Sequence, residues 1–296
     1  MNAMPAVQHF EFAQPHVPGL ATYDYVRPTG AEGDLPLLLL LHGGDGGEGH
    51  LQRMLPMLQY CWQSGDLPAC VCVTPKCGMS YYLNYRNGQE NWEDLVVHGI
   101  PEQISRAHGG VDLSKILIAG ISMGGTGTLR MAFRYPSKFI AAAAMEPGVE
   151  EAFDFTDIPA RNTFWRAVPF EVAHGEPVDS EWWAANNIAG IARSNAAAIQ
   201  TSGLKLYLEV GTEDCMLLHH GVEFLHRLLW DRQIKHEYRT VLGADHIGMS
   251  LLARTLDAFR FLGRAIMPQP ADSDLQALRE LMDAKRLQAG LSVTGF

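Results

Sequence analysis

The chain has 296 residues, with 23 Lys and Arg against 33 Asp and Glu, a formal charge of -10 and 47% hydrophobic residues. At this length roughly three quarters of the unfolded surface can be buried, so a single α/β domain over 1–296 with a full core is expected. The acidic balance argues against nucleic-acid and anionic-membrane partners, whose phosphates call for clustered Lys and Arg.

Two strand-like segments come first, His9–Phe12 and Ala21–Val26, separated by a Pro/Gly turn. Leu35–Leu41 is a continuous apolar run, the pattern of a strand buried on both faces, and is far too short to cross a bilayer. It ends in His42-Gly43-Gly44-Asp45-Gly46-Gly47, and helical spacing follows to about Ser64. Ala69–Thr74 reads as a strand and Trp92–Ala107 as a helix, with Pro101 a point where it can kink. Lys115–Ala119 is a buried strand, followed by Gly120-Ile121-Ser122-Met123-Gly124, a helix to Arg134 and a strand at Ile140–Met145.

From Glu146 to Pro177 periodicity is lost, the pattern of a lid or binding loop, and 146–202 is a candidate cap insertion. Ser180–Ser202 reads as one helix. Strand and helix then alternate: Leu204–Val210, Leu217–Gln233, His236–Leu242 and Met249–Ile266. A helical tail, 268–296, follows the Pro268–Pro270 break and carries the amphipathic stretch Ser273–Leu287. The fold class is therefore α/β: a mostly parallel, doubly wound sheet with helices on both faces and catalytic groups at the C-terminal strand ends.

Met1–Leu20 lacks a basic region followed by a continuous apolar stretch, so no signal peptide is expected and a cytoplasmic location is. The five cysteines, Cys61, Cys70, Cys72, Cys77 and Cys215, fit reduced thiols better than a disulfide framework.

Gly120-Ile121-Ser122-Met123-Gly124 fits Gly-x-Ser-x-Gly in the strand–turn–helix setting the motif requires. Ser122 is then the candidate nucleophile. Glycines flank it because a Cβ at either position would crowd the neighbouring strand or helix. The helix N-terminus behind it favours developing negative charge, and the Met123 amide is the first candidate oxyanion donor.

The chain order for this elbow is Ser, acid, His. His246 follows the last strand in a loop and is the candidate general base. Asp214, just past Leu204–Val210, is the candidate acid that orients it; Glu213 is a near rival and Glu146 a more distant one. Glycine at His42-Gly43-Gly44-Asp45 lets the backbone approach a substrate, making the amide of Gly44 or Asp45 the second oxyanion donor. Gly44 and Gly49 have phosphate-loop spacing, but His50-Leu51 stands where Lys-Ser/Thr would be needed.

Taken together, Leu41-His42-Gly43-Gly44, Gly120-Ile121-Ser122-Met123-Gly124-Gly125, Gly211-Thr212-Glu213-Asp214 and Asp245-His246 resemble the esterase D branch of the α/β-hydrolases. Ser80-Tyr81-Tyr82 followed by Trp92-Glu93-Asp94 also looks like that group, which contains S-formylglutathione hydrolases, feruloyl and tributyrin-type esterases and mycolyltransferases. The resemblance implies hydrolysis of small-acyl carboxylic esters or thioesters through an acyl-serine intermediate, without metal or organic cofactor. The expected partner is a small-molecule ester, and a homo-oligomer is left open. The run Ser80–Trp92 departs from that of the formylglutathione hydrolases, which counts against a glutathione thioester.

Phe153, Phe155, Phe164, Trp165 and Phe170 are candidates for the substrate pocket or for a small packed cluster, and Tyr81 and Tyr82 for the acyl site. Trp182 and Trp183 read as helix packing. Three rival readings are a metal site on His219, Glu223 and His226 at i, i+4 and i+7, a non-catalytic binding protein of the same fold, and an acyltransferase.

Overall fold

Leu37 through Leu41 are buried to within 1% of full enclosure, so a run without polar alternation forms a strand because helices cover both of its faces. The computed structural model describes residues 5–163, 170–267, 270 and 272–293. Phe164 and Trp165, and Pro268 of the expected break, lie outside them.

Eight strands form one sheet: β1 Gln8–Ala13, β2 Leu20–Val26, β3 Leu35–Leu41, β4 Val71–Lys76, β5 Val111–Ile121, β6 Ala141–Met145, β7 Lys205–Gly211 and β8 Glu237–Val241. Their order is β1-β2-β4-β3-β5-β6-β7-β8. β2 runs antiparallel to both β1 and β4, and every other pair is parallel. The order turns back between β3 and β5, which opens a crevice at their C-terminal ends, where ligands bind in sheets of this kind. One core layer sets Leu37, Leu39 and Leu41 against Leu129, Met131, Phe133 and Leu225; the other sets Leu38 and Leu40 against Leu55, Leu58, Phe259 and Leu262.

Several boundaries differ from the sequence reading for local reasons. The Trp92–Ala107 stretch is a short α-turn, a π-helical turn at Leu95–Gly99 and an α-helix at Ile100–Ala107. Pro101 begins that last helix, where its missing N–H is tolerated, and does not kink a continuous one. The single helix expected over Ser180–Ser202 is three: Ser180–Asn186, Ile188–Ser194 and Ala196–Ser202. Asn187 is extended and its side chain accepts the Ala189 N–H, while the Asn195 amide donates to the Phe133 carbonyl at 2.6 Å. Both asparagines offer side-chain hydrogen bonds that compete with helix continuation.

The chain forms two compact units, Met1–Ile266 and Met267–Phe296. The first holds the sheet. The second holds the helix Ser273–Gln288, started by Asp272, whose carboxylate accepts the N–H groups of Asp274 and Leu275. Among the described residues no helix is long and apolar enough to cross a membrane. All five cysteines are free thiols; four are buried and Cys215 is exposed.

Candidate active site

β5 ends at Ile121 and a helix begins at Met123, so Ser122 alone makes the turn, at φ 57 and ψ -122. A non-glycine residue in that region is strained, and the surroundings must hold it. Two glycines allow the close approach. A Cβ at Gly120 would lie 2.4 Å from the Gly124 carbonyl, and one at Gly124 would lie 2.3 Å from Leu41 O and 2.6 Å from His42 O. Hydrogen bonds fix the turn from both sides: Ser122 N–H donates to Met145 O at 2.9 Å, and Thr126 N–H to Ser122 O at 2.9 Å.

His246 approaches from the loop after β8. Its Nε2 lies 3.0 Å from Ser122 Oγ, and its Nδ1 lies 2.8 Å from Asp214 Oδ2. Asp214 Oδ1 accepts the N–H groups of Met216 at 2.7 Å and Leu218 at 3.4 Å. The carboxylate therefore takes Nδ1–H, leaving Nε2 with its lone pair toward the serine hydroxyl. Burial pushes the Asp214 carboxyl upward. Hydrogen bonds from His246 and the backbone, with the Glu146 carboxyl alongside, outweigh it and hold the group down at about 2. Glu213, the near rival, is exposed.

Behind Asp214 lies a cluster that sequence reasoning did not assemble: Glu146 stood there only as a distant rival acid, and Glu209 and Arg254 were not singled out. Glu146, at positive φ one residue past β6, is fully buried, as is Glu209 on β7. Arg254 donates to both: Nε to Glu209 Oε1 at 2.7 Å and Nη2 to Glu146 Oε1. Its Nη1 donates to the Asp245 carbonyl at 2.7 Å, bracing the residue before His246. Gly211 N–H also donates to Glu146 Oε1, at 2.9 Å. The Arg254 signal was invisible in one dimension, because its partners lie 45 and 108 residues away.

Gly44, Ser122 and Met123 line one pocket, so two of the three expected oxyanion donors share a wall with the serine. Asp45 does not join that lining. Its carboxylate accepts the Gly47 N–H at 3.2 Å and an Arg53 N–H at 2.5 Å. The preceding loop is pinned by His42, fully buried, whose Nε2 accepts the Cys77 N–H at 3.0 Å and whose Nδ1 faces Gly43 O at 2.6 Å. Burial lowers the His42 pKa, which keeps the ring neutral in this structural role. Tyr82 O–H donates to His42 O at 3.2 Å.

The pocket has a volume of about 140 Å³. Tyr81, Phe170 and Trp183 line it, which corrects the reading of Trp183 as helix packing alone. Tyr82 lies fully in the core instead, its ring against Gly127. Phe155 packs against both Phe170 and Trp183, and Phe153 against Phe224. Arg130, buried at the pocket, donates to Tyr81 O at 2.5 Å and to Asn186 O at 3.2 Å, joining the Ser80–Tyr82 loop to the helical segment.

The expected alternative, a metal on His219, Glu223 and His226, does not assemble. Glu223 accepts Arg227 and Tyr238, and His226 contacts His236 at 2.8 Å. Among the described residues the one group with three ligand-type atoms close together is Glu146, Asp214 and His246. There Asp214 and His246 are hydrogen-bonded to each other and the Arg254 cation sits on Glu146.

Residues 23–247 match the Esterase family. No curated protein matches the chain. Among solved structures, the fluorophosphonate-binding serine hydrolase F of Staphylococcus aureus, substrate bound, is 17% identical, with TM-score 0.71 over 88% of this chain and 99% of that one. An S-formylglutathione hydrolase from Agrobacterium tumefaciens is 16% identical, with TM-score 0.72 over 89% and 96%. A ferulic acid esterase of Anaeromyces mucronatus is 15% identical, with TM-score 0.65 over 89% and 92%. At these identities the likeness establishes the α/β-hydrolase fold.

Proposed function

From the premise that this chain belongs to the Esterase family and is a carboxylic ester hydrolase, we propose that it cleaves small-molecule esters of small acyl groups through an acyl-Ser122 intermediate. The observation that carries this reading is the continuous chain Ser122 Oγ, His246, Asp214, at 3.0 and 2.8 Å, ending on a strained elbow in a pocket.

Ser122 Oγ attacks the ester carbonyl as His246 Nε2 takes its proton, and Asp214 stabilises the resulting imidazolium. The amides of Met123 and Gly44 face the carbonyl oxygen as it becomes an oxyanion. His246 returns the proton to the leaving alkoxide, the acyl-enzyme remains, and water attacks it with His246 again as base. Protons balance over the cycle, and no step requires a metal or organic cofactor. Tyr81, Phe170 and Trp183 wall the pocket beside Ser122, which supports a small acyl group, aliphatic or with one aromatic ring.

The test is a series of p-nitrophenyl esters of increasing acyl length, run on wild type and Ser122→Ala, with fluorophosphonate labelling in parallel. Short acyl groups are expected to turn over fastest, and the variant to lose both turnover and label. A wild type that turns over no ester, or a variant that keeps its label, would refute the reading.

A further inference from the structure

Three buried carboxyl groups share one cation: Glu146 and Glu209 hold Arg254, and Asp214 lies beside Glu146 with His246 at the edge. Fully ionised, the carboxylates and Arg254 would leave two net negative charges out of water, and uncompensated buried charge is costly enough that a group neutralises instead. The hydrogen bonds indicate which group does so. Asp214 receives three N–H donors, from Met216, Leu218 and His246. Glu209 Oε1 receives Arg254 Nε. Glu146 Oε1 receives Gly211 N–H and Arg254, while its Oε2 is buried without any donor. Glu209 Oε2 is also without a donor, but Glu146 is the carboxyl beside Asp214: one oxygen of each, with a His246 nitrogen, lies within 4.8 Å of the others. Two carboxyl groups can share a hydrogen bond when one of them carries a proton.

We propose that Glu146 is protonated on Oε2 and donates that hydrogen bond to the Asp214 carboxylate, acting as a positioning residue behind Ser122, His246 and Asp214. The inference rests on the acyl-serine reading for its kinetic consequence and on geometry alone for the proton. Burial first, then the contact with Asp214, pushes the Glu146 carboxyl up to about 9, in keeping with the assignment. The proton does two things. It anchors Asp214, and it leaves a single negative charge beside the imidazole, so the basicity of His246 is set by one carboxylate and not by two. The groups facing Glu146 are Gly211 N–H at the end of β7, Asp214 in the loop after it, His246 in the loop after β8, Glu209 on β7 and Arg254 on the helix Leu251–Ile266.

Infrared difference spectra of wild type against Glu146→Gln at pH 7 read the proton directly. A protonated-carboxyl band present in wild type and missing from the variant is expected. In wild type alone, a ¹³C-glutamate carboxyl resonance should keep its protonated position at pH 7, whether or not the variant folds. Kinetically, Glu146→Gln retains a neutral donor, so kcat/KM should stay within about threefold of wild type and its acidic limb should not move. Glu146→Ala loses the donor and should lose about tenfold in kcat. Were Glu146 ionised, Glu146→Gln would remove a charge near His246 and lower the acidic limb by about one unit or more. That shift, or the absence of the infrared band and the carbon resonance, overturns the proposal. The spectroscopic arms need no turnover, so an inactive wild type would count against the ester reaction and leave the proton assignment to be decided by the spectra.

Discussion

Replacing Asp214 with Asn tests the orientation of His246 more sharply than removing the side chain. Asp214 accepts on both oxygens: Oδ1 from Met216 N–H at 2.7 Å and Leu218 N–H at 3.4 Å, Oδ2 from His246 Nδ1–H at 2.8 Å. Asparagine has one acceptor to offer. If its NH₂ faces Met216, two donors meet at hydrogen-bonding distance in a buried site, which costs about 1–3 kcal/mol for each group left unsatisfied. If it faces His246, Nδ1 must become the acceptor and Nε2 must carry the hydrogen. The second arrangement leaves fewer groups unsatisfied and is the one expected. Nε2 then donates to Ser122 Oγ and cannot take its proton. The equivalent wrong-tautomer change in Ser-His-Asp proteases lowers kcat about 10⁴-fold, or roughly 5–6 kcal/mol of transition-state stabilisation. Initial rates on p-nitrophenyl acetate, with near-ultraviolet circular dichroism and Tm as controls for folding, measure it. A folded Asp214→Asn enzyme keeping more than about a tenth of wild-type kcat would refute the assignment, since one decade is only about 1.4 kcal/mol.

Gly124→Ala places a Cβ 2.3 Å from Leu41 O, about 1 Å short of ordinary contact with rigid backbone. A loss of about 3 kcal/mol is expected, read as a Tm drop of roughly 6–12 °C with slower fluorophosphonate labelling; an unchanged Tm would contradict the packing argument. Arg254→Met leaves Glu146 and Glu209 without their shared cation and should cost about 3–5 kcal/mol in urea unfolding. Asp214 and Glu146, two of the perturbed carboxyls, act on stability with opposite signs. Asp214, held at about 2 against an ordinary 3.8, contributes about 2 kcal/mol that is present above pH 4 and lost as pH falls through 2. Glu146, raised to about 9 against 4.5, contributes stability that is full below pH 4.5 and is lost as pH rises toward 9. Wild-type Tm should therefore fall more steeply between pH 5 and 9 than that of Glu146→Gln, and parallel curves would refute the sign.

Local chemistry wrote much of this protein in one dimension. Leu35–Leu41 had to be a doubly covered strand because nothing in it tolerates water. Gly120-Ile121-Ser122-Met123-Gly124 announced a tight strand-to-helix turn because only hydrogen fits where Gly124 meets Leu41 O. Chain order then pointed to Asp214 and His246, which the fold brings within hydrogen-bonding reach of each other and of Ser122. Periodicity over Ser180–Ser202 misled, because Asn187 and Asn195 break a helix through side-chain hydrogen bonds that hydrophobic spacing does not register.

What the tertiary structure alone decided is whatever depends on desolvation and on distant partners. In sequence Glu146 was a distant rival to Asp214 as the acid, and only the enclosure by β6 and β7 and the Arg254 delivered by the helix Leu251–Ile266 set it behind Asp214 as a separate group. Asp45 and Gly44 were equivalent in sequence, and only the path of the loop turned Asp45 toward Arg53 and Gly44 into the pocket. A side chain's type travels with the sequence, but its charge state depends on the water it loses and the donors it meets, and those are set when the chain packs.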